Sequence, residues 1–458
     1  MGRQRAFPKG FLWGVSTSAY QIEGGVDVDG RGASIWDTFS EAGHCRGATG
    51  SIAADHRHRM RDDVALLAAL GVPAYRFSIA WPRVQPTGDG PASPTGLGFY
   101  DLLVDTLLEH GIEPVATLYH WDLPQALEDA GGWPERATAE RFADYAGVVA
   151  STLGDRVRRW TTINEPWCAA MLGYAAGIHA PGVTDPGRAA RAAHHLLLGH
   201  GLAVDVLRSE VRSDADVGIT LNPYPVLATG TAPADHDAVR RIDGIANRIW
   251  YDPLLRGCYP EDVLEDLRSV SDLSYIRRGD LAQISRPLDS LGLNYYRCYH
   301  VRHEPGASAS PSPWPGSTDV DFTEPAPGTT PTTNGWAVEP GGLFDALVRV
   351  ATDYDPPPLY VHESGGAFPD TPNGDGQVHD DDRVAYLDAH LQACHDAIVA
   401  GVDLRGYFVW SYLDNFEWAE GYTQRFGVVH VDFESQVRTP KASAWWFARV
   451  AAGNRLGG

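Results

Sequence analysis

Lysine is almost missing from this chain. Of 37 basic residues all but Lys9 and Lys441 are arginine, and 59 acidic residues outweigh them to give a formal charge of −22. Neither lysine falls in a Gly-x-x-x-x-Gly-Lys context, so a phosphate-cradling nucleotide loop is excluded. The negative balance argues against nucleic acid or an anionic membrane as partner, because both would repel the chain, and it suits a neutral substrate. Cysteine is scarce as well. Cys45, Cys168, Cys258, Cys298 and Cys394 are odd in number and show no Cys-x-x-Cys spacing, which argues against a disulfide framework or a zinc knuckle. Long apolar runs are lacking too. Arg3, Arg5 and Lys9 precede Phe11, Leu12 and Trp13, but Gly14, Ser16, Thr17 and Ser18 interrupt before a secretory apolar region can form. No window approaches a membrane span, and the expected address is the cytoplasm.

What is present is ample material for a core: 43% of residues are apolar and 21% charged, the balance of a folded chain. Apolar strand-like runs alternate with amphipathic helical runs, the pattern of βα units around a parallel sheet. Eight strands are expected, near Phe11 to Tyr20, Tyr75 to Trp81, Pro114 to His120, Arg159 to Pro166, Val217 to Pro223, Ser290 to Tyr296, Leu359 to Glu363 and Gly406 to Tyr412. Helices are expected over Asp62 to Leu70, Leu97 to His110, Glu135 to Leu153, Arg188 to Ser209, Gly342 to Tyr354, Asp381 to Gly401 and Thr439 to Ala451, with several short ones through Leu267. The fold class is therefore α/β, a single (β/α)8 TIM barrel over 1–458 with loop insertions at its C-terminal face. The stretch from Glu304 to Asn334, crowded with Pro, Ser, Thr and Gly, breaks the rhythm and reads as a long loop at the mouth of the pocket.

Two of the strands end alike. Arg-Trp-Thr-Thr-Ile-Asn-Glu-Pro delivers Glu165 and is then stopped by Pro166, while Leu-Tyr-Val-His-Glu delivers Glu363 and is broken by Ser364, Gly365 and Gly366. In a parallel barrel all such ends share one face, so the two carboxylates can meet across one pocket. A facing carboxylate pair is the equipment of glycosidic bond hydrolysis. Either glutamate alone is more often a loop or helix-start residue. His194, His195 and His200, at spacings of one, five and six, cannot share one helical face, so no metal and no cofactor is expected.

Together with Glu165 and its strand, the runs Tyr-Arg-Phe-Ser-Ile-Ala-Trp-Pro-Arg (75–83), Leu-Tyr-His-Trp-Asp-Leu-Pro (118–124) and Trp-Ser-Tyr-Leu-Asp-Asn-Phe-Glu-Trp (410–418) resemble the family 1 glycoside hydrolases, the β-glucosidase type. The resemblance runs from about Phe7 to Val450. It implies a retaining β-glycosidase acting on small β-glucosides or cello-oligosaccharides, with Glu363 as nucleophile and Glu165 as acid/base. It further implies Arg76 as support for the nucleophile, and Gln21, His120, Asn164, Tyr296, Trp410, Glu417 and Trp418 as residues around the sugar. Trp167, Asn222, Trp336 and Phe426 would lie toward the aglycone. The resemblance departs at the nucleophile, where His362, Glu363, Ser364 and Gly365 stand in place of Thr-Glu-Asn-Gly. Gluco, galacto or fuco preference stays open, as does oligomeric state. A sugar-binding barrel without catalysis and a 6-phospho-β-glycosidase are the competing readings; both glutamates speak against the first, and the charge of Glu417 against the second.

Overall fold

The computed structural model describes residues 5–307, 311–324 and 330–457. Eight strands carry it: β1 (Leu12–Ser16), β2 (Ala74–Ser78), β3 (Glu113–Tyr119), β4 (Arg159–Asn164), β5 (Asp216–Leu221), β6 (Ser290–Tyr295), β7 (Leu359–Ser364) and β8 (Leu404–Trp410). Each pairs in parallel with its neighbours in chain order, and β8 closes on β1 through Gly406↔Leu12 to Trp410↔Ser16. The strands read as nearly continuous apolar runs because both faces are covered, one by the barrel interior and one by helices. Every residue of β2, β6 and β7 is buried. The long helices are His56–Leu70, Pro94–Glu109, Arg136–Leu153, Pro186–Glu210, Pro340–Tyr354, Asp381–Val399 and Ala442–Gly453. Several start as their sequence dictates. Asp185 accepts from the amides of Gly187 and Arg188, with Pro186 in the first turn, where a missing amide hydrogen costs nothing.

The expected (β/α)8 barrel is thus the observed one, with differences at strand ends. The first strand stops at Ser16, not Tyr20, and Ala19–Ile22 turn helical, held by the Ala19 amide donating to Ser78 Oγ at 2.7 Å. The second stops at Ser78, and Trp81–Val84 form a helical turn, because Pro82 near its start cannot pair in a sheet but suits a helix N-terminus. Of the segment 304–334, residues 308–310 and 325–329 lie outside the described residues. Its Val320–Phe322 strand joins Tyr299–His303, which also pairs with Val226–Ala228. No helix among the described residues is long and apolar enough to cross a membrane.

Two devices hold the loops over the C-terminal face. At Gly365 a Cβ would stand 1.8 Å from the carbonyl oxygen of Trp410, so only glycine lets the chain leave β7 against the end of β8. Beside it Lys441, fully buried, donates to Asp414 at 2.7 Å and to Asp370. Arg383 pairs with Asp370 and Asp380, and Arg425 with Asp414. Buried charges persist only when paired, and these ties bind the segments after β7 and β8 to the last helix.

Candidate active site

The ends of the strands surround a cavity of about 740 Å³. Glu165 follows β4 directly, its amide bonded to the Thr220 carbonyl of β5 at 2.9 Å, and it has a φ of 45°. Trp121 (φ 77°) and Trp418 (φ 47°) share this left-handed backbone, and all three line the cavity. Such conformations persist for non-glycine residues only where the surroundings enforce them, most often at functional sites. Glu363 sits in β7, where the register against β6 shifts between Val361 and Glu363 and brings Glu363 opposite Asn294.

One hydrogen-bond network links the two carboxylates. Arg76 of β2 donates to Glu363 Oε1 and to Asn164 Oδ1, both at 2.6 Å. Tyr296 donates to Glu363 Oε2 at 2.6 Å. Asn294 donates to Asn164 Oδ1 at 3.0 Å and to Glu165 Oε1 at 2.7 Å, while the Cys168 thiol donates to Glu165 Oε2 at 3.0 Å. Because Asn164 Oδ1 accepts from Arg76, its Nδ2 must face His120 Nε2, 3.1 Å away; that nitrogen therefore accepts, and the ring proton lies on Nδ1. Burial and the charge of Arg76 hold the His120 pKa well below its usual value, so the ring is neutral.

The two environments separate the two carboxyls. Burial and then the charge of Glu363 push Glu165 upward, with only the weak Cys168 donor, Asn294 and the more distant Arg76 opposing. Burial raises Glu363 too, but Arg76 and the Tyr296 hydroxyl pull it back. A proton shared by such a pair goes to Glu165, leaving Glu363 charged. Glu417 is pushed up to about 8 by burial and by Glu363.

Around these acids stand the aromatic walls. His120 stacks 5.8 Å from Trp410 and 5.9 Å from Trp418, and Trp121 packs 4.6 Å from Trp418. Trp336 and Phe426 flank Tyr296 at 5.6 and 6.3 Å. Trp167 meets Tyr224 and Trp314, each at 5.3 Å. The structure therefore brings Glu165, Glu363, His120, Tyr296, Trp410, Glu417, Trp418, Trp167, Trp336 and Phe426 to one cavity wall. Arg76, Gln21, Asn164 and Asn222 lie behind it. Gln21 accepts from Ser18 and donates to Asn415, to the Phe416 carbonyl and to Glu417 at 3.3 Å. Asn222 donates to Tyr224 and, at 3.5 Å, to Cys168. His194 bonds to Asp280 and Tyr259, His195 to the Trp133 carbonyl and His200 to Thr162, away from the cavity.

Sequence reasoning missed Asn294, which donates to Glu165, and the places of Cys168, Trp121, Arg297 and Trp314 on the cavity wall. Asn294 carried a signal in the Asn-Tyr-Tyr run. Cys168 carried one in its spacing, since a residue three positions beyond Glu165 at a helix start lies on the same face. Trp314 sits in a segment without periodicity and carried none.

A pocket that pairs one carboxyl inclined to hold its proton with one held charged, between stacked indoles, defines a glycoside hydrolase. Residues 3–456 match the model of glycosyl hydrolase family 1, and the chain belongs to that family. It is 48% identical over 460 residues to a bifunctional β-D-glucosidase/β-D-fucosidase of Bifidobacterium breve, covering 97% of this chain and 98% of that one. It is 50% identical over 455 residues to thermostable β-glucosidase B of Thermobispora bispora, covering 98% and 92%. Among solved structures, the family 1 β-glucosidase from Thermotoga maritima in complex with isofagomine lactam superposes with a TM-score of 0.93 at 44% identity, covering 99% of this chain and 100% of that one.

Proposed function

We propose that this chain is a retaining β-glucosidase that releases terminal β-D-glucosyl residues from small β-glucosides or cello-oligosaccharides, as one catalytic barrel working in the cytoplasm. The observation that supports it is the unequal setting of the two carboxyls: Arg76 and Tyr296 on Glu363, Asn294 and Cys168 on Glu165. In the first step the Glu363 carboxylate attacks the anomeric carbon, the glycosidic C–O bond breaks, and the Glu165 proton passes to the departing oxygen. Once Glu363 is esterified its charge is gone, the carboxyl of Glu165 becomes a stronger acid, and it can serve as a base. Glu165 then takes a proton from water as that water attacks the same carbon and Glu363 leaves.

His120, Trp410, Glu417 and Trp418 would hold the sugar, the indoles against its C–H faces and Glu417 and His120 Nδ1 at its hydroxyls. Gln21 and Asn164 would aim those groups from behind. Trp167, Trp336 and Phe426 would face the aglycone, with Asn222 behind them and the described residues of the 304–334 segment, Trp314 and Phe322 among them, shaping the mouth. The test is hydrolysis of 4-nitrophenyl β-D-glucoside followed by NMR: β-glucose is the expected first product. Release of α-glucose first, or no hydrolysis, would overturn the reading.

A further inference from the structure

Among the described residues that line the cavity, Arg297 is the only arginine or lysine. The other charged groups on that wall are acidic, and several already have partners: Glu339 with His300 at 2.8 Å and Glu420 with Arg46 at 2.6 Å. Arg297 has none. Its guanidinium lies over the ring of Tyr299 at 4.8 Å and over that of Trp336 at 5.1 Å, and it donates one hydrogen bond, to the Tyr299 hydroxyl at 3.2 Å. The ionisable groups that act most on it are Tyr299, Tyr224 and Cys168, each raised by burial and so neutral near neutral pH. In a chain this acidic, a half-buried arginine without a carboxylate is out of keeping with its surroundings, since guanidinium groups taken from bulk water are ordinarily paired.

Its position says what would complete it. Tyr296 holds Glu363, Trp336 packs 5.6 Å from Tyr296, and Arg297 lies on the ring of Trp336. On the other side Trp167, two residues beyond Glu165, meets Tyr224, which packs 4.6 Å from Tyr299, the second ring under Arg297. Arg297 therefore stands on the outer part of the cavity wall, two rings from Glu363 through Tyr296 and Trp336 and three from Glu165 through Trp167, Tyr224 and Tyr299, where the far edge of a ring-sized leaving group would come. Two flat rings fix the plane of the guanidinium, and that plane presents its free N–H groups edge-on to a planar anion.

Resting on the glucosidase reading above, we propose that Arg297 makes the outer cavity a subsite for aglycones that carry a carboxylate, such as acidic phenols. The experiment compares 4-carboxyphenyl β-D-glucoside with its methyl ester. For each protein the ratio of kcat/KM for acid over ester is taken, and the ratio in Arg297→Met is divided by that in the unchanged chain, so that the intrinsic difference between the two leaving groups cancels. The expected result is about a tenfold fall, the size of one charge-assisted contact discounted for partial exposure. Arg297→Lys, which keeps the charge, should retain much of the preference, and Arg297→Gln, which can still donate to Tyr299, should lose it. Equal ratios in the unchanged chain, the Met variant and the Gln variant would overturn the proposal. Turnover of 4-nitrophenyl β-D-glucoside by the unchanged chain is read in parallel: its absence would sink the glucosidase reading, whereas its presence with equal ratios would sink the Arg297 subsite alone.

Discussion

Replacing Arg76 by methionine removes the cation 2.6 Å from Glu363 Oε1 and leaves that carboxylate with the Tyr296 hydroxyl as its remaining strong donor. Unit charges about 4 Å apart interact by about 4 kcal/mol at an effective dielectric near 20. Part of that returns as water and neighbours readjust; what remains, roughly 3 kcal/mol, favours the protonated carboxyl, so the Glu363 pKa should rise. The sign follows from the role proposed for Glu363. It acts as an anion, so a raised pKa means activity is lost at a higher pH as pH falls and is partly regained as pH rises. Near neutrality kcat/KM should drop by about a hundredfold or more. The assay is the pH profile of kcat/KM with 2,4-dinitrophenyl β-D-glucoside, whose leaving group needs no proton, so that the protonation of Glu165 does not confuse the acid limb. An acid limb that stays in place while activity falls at all pH values would refute the argument and leave Arg76 a purely structural residue.

Glu363→Gly should abolish turnover, and azide should restore it with an α-glycosyl azide as product, because azide enters from the face the carboxylate vacated; a β-azide would reverse the two glutamates. Glu165→Ala should spare glycosylation by activated leaving groups and slow it for poor ones, and equal losses for both would remove the acid role. Lys441→Met removes one of the two cations that hold each of Asp370 and Asp414, leaving them with Arg383 and Arg425 and one buried negative charge uncompensated. The expected cost is about 3–5 kcal/mol, read as a lower thermal unfolding midpoint, and an unchanged midpoint would show the network to be replaceable.

The barrel was legible because its signal is repeated along the chain. Strands buried on both faces give short apolar runs, and each is broken by the turn residues that follow it, as at Pro166 and at Gly365. The site was legible where chemistry coincides with such an end: Glu165, Glu363, His120 and Trp410 all stand at or just beyond strand termini. Where local forces compete, the sequence spoke less clearly. Gln21 lies on the helical turn Ala19–Ile22, which takes over before the Tyr20 end expected of the first strand, since the Ala19 amide finds Ser78 Oγ sooner than a sheet partner. Arg297 follows from tertiary neighbours alone. Nothing in Asn-Tyr-Tyr-Arg-Cys tells that two rings will close on the arginine.

The departure beside Glu363 shows how an odd residue is absorbed. His362 points its ring into the barrel, where Nδ1 meets Thr220 Oγ1 of β5 at 2.7 Å and Ser16 Oγ of β1 donates to the His362 carbonyl at 2.7 Å. The room comes from β6. A Cβ at Gly292 would stand 2.1 Å from His362 Nδ1 and 2.5 Å from Thr220 Oγ1. Side chains from several strands fill each layer of a barrel interior, so volume gained on β7 is offset by volume given up on β6. The ring adds no charge, because burial together with Arg76 and Arg159 holds its pKa well below the usual histidine value. Ser364, the other departure, turns toward the Tyr386 hydroxyl at 3.4 Å and away from the pair. Both residues therefore act behind Glu363 and leave its direct partners, Arg76 and Tyr296, in place. The charge state of Glu363 is set by those two contacts, which is why the perturbation of Arg76, and not of His362, is the one that should move the acid limb.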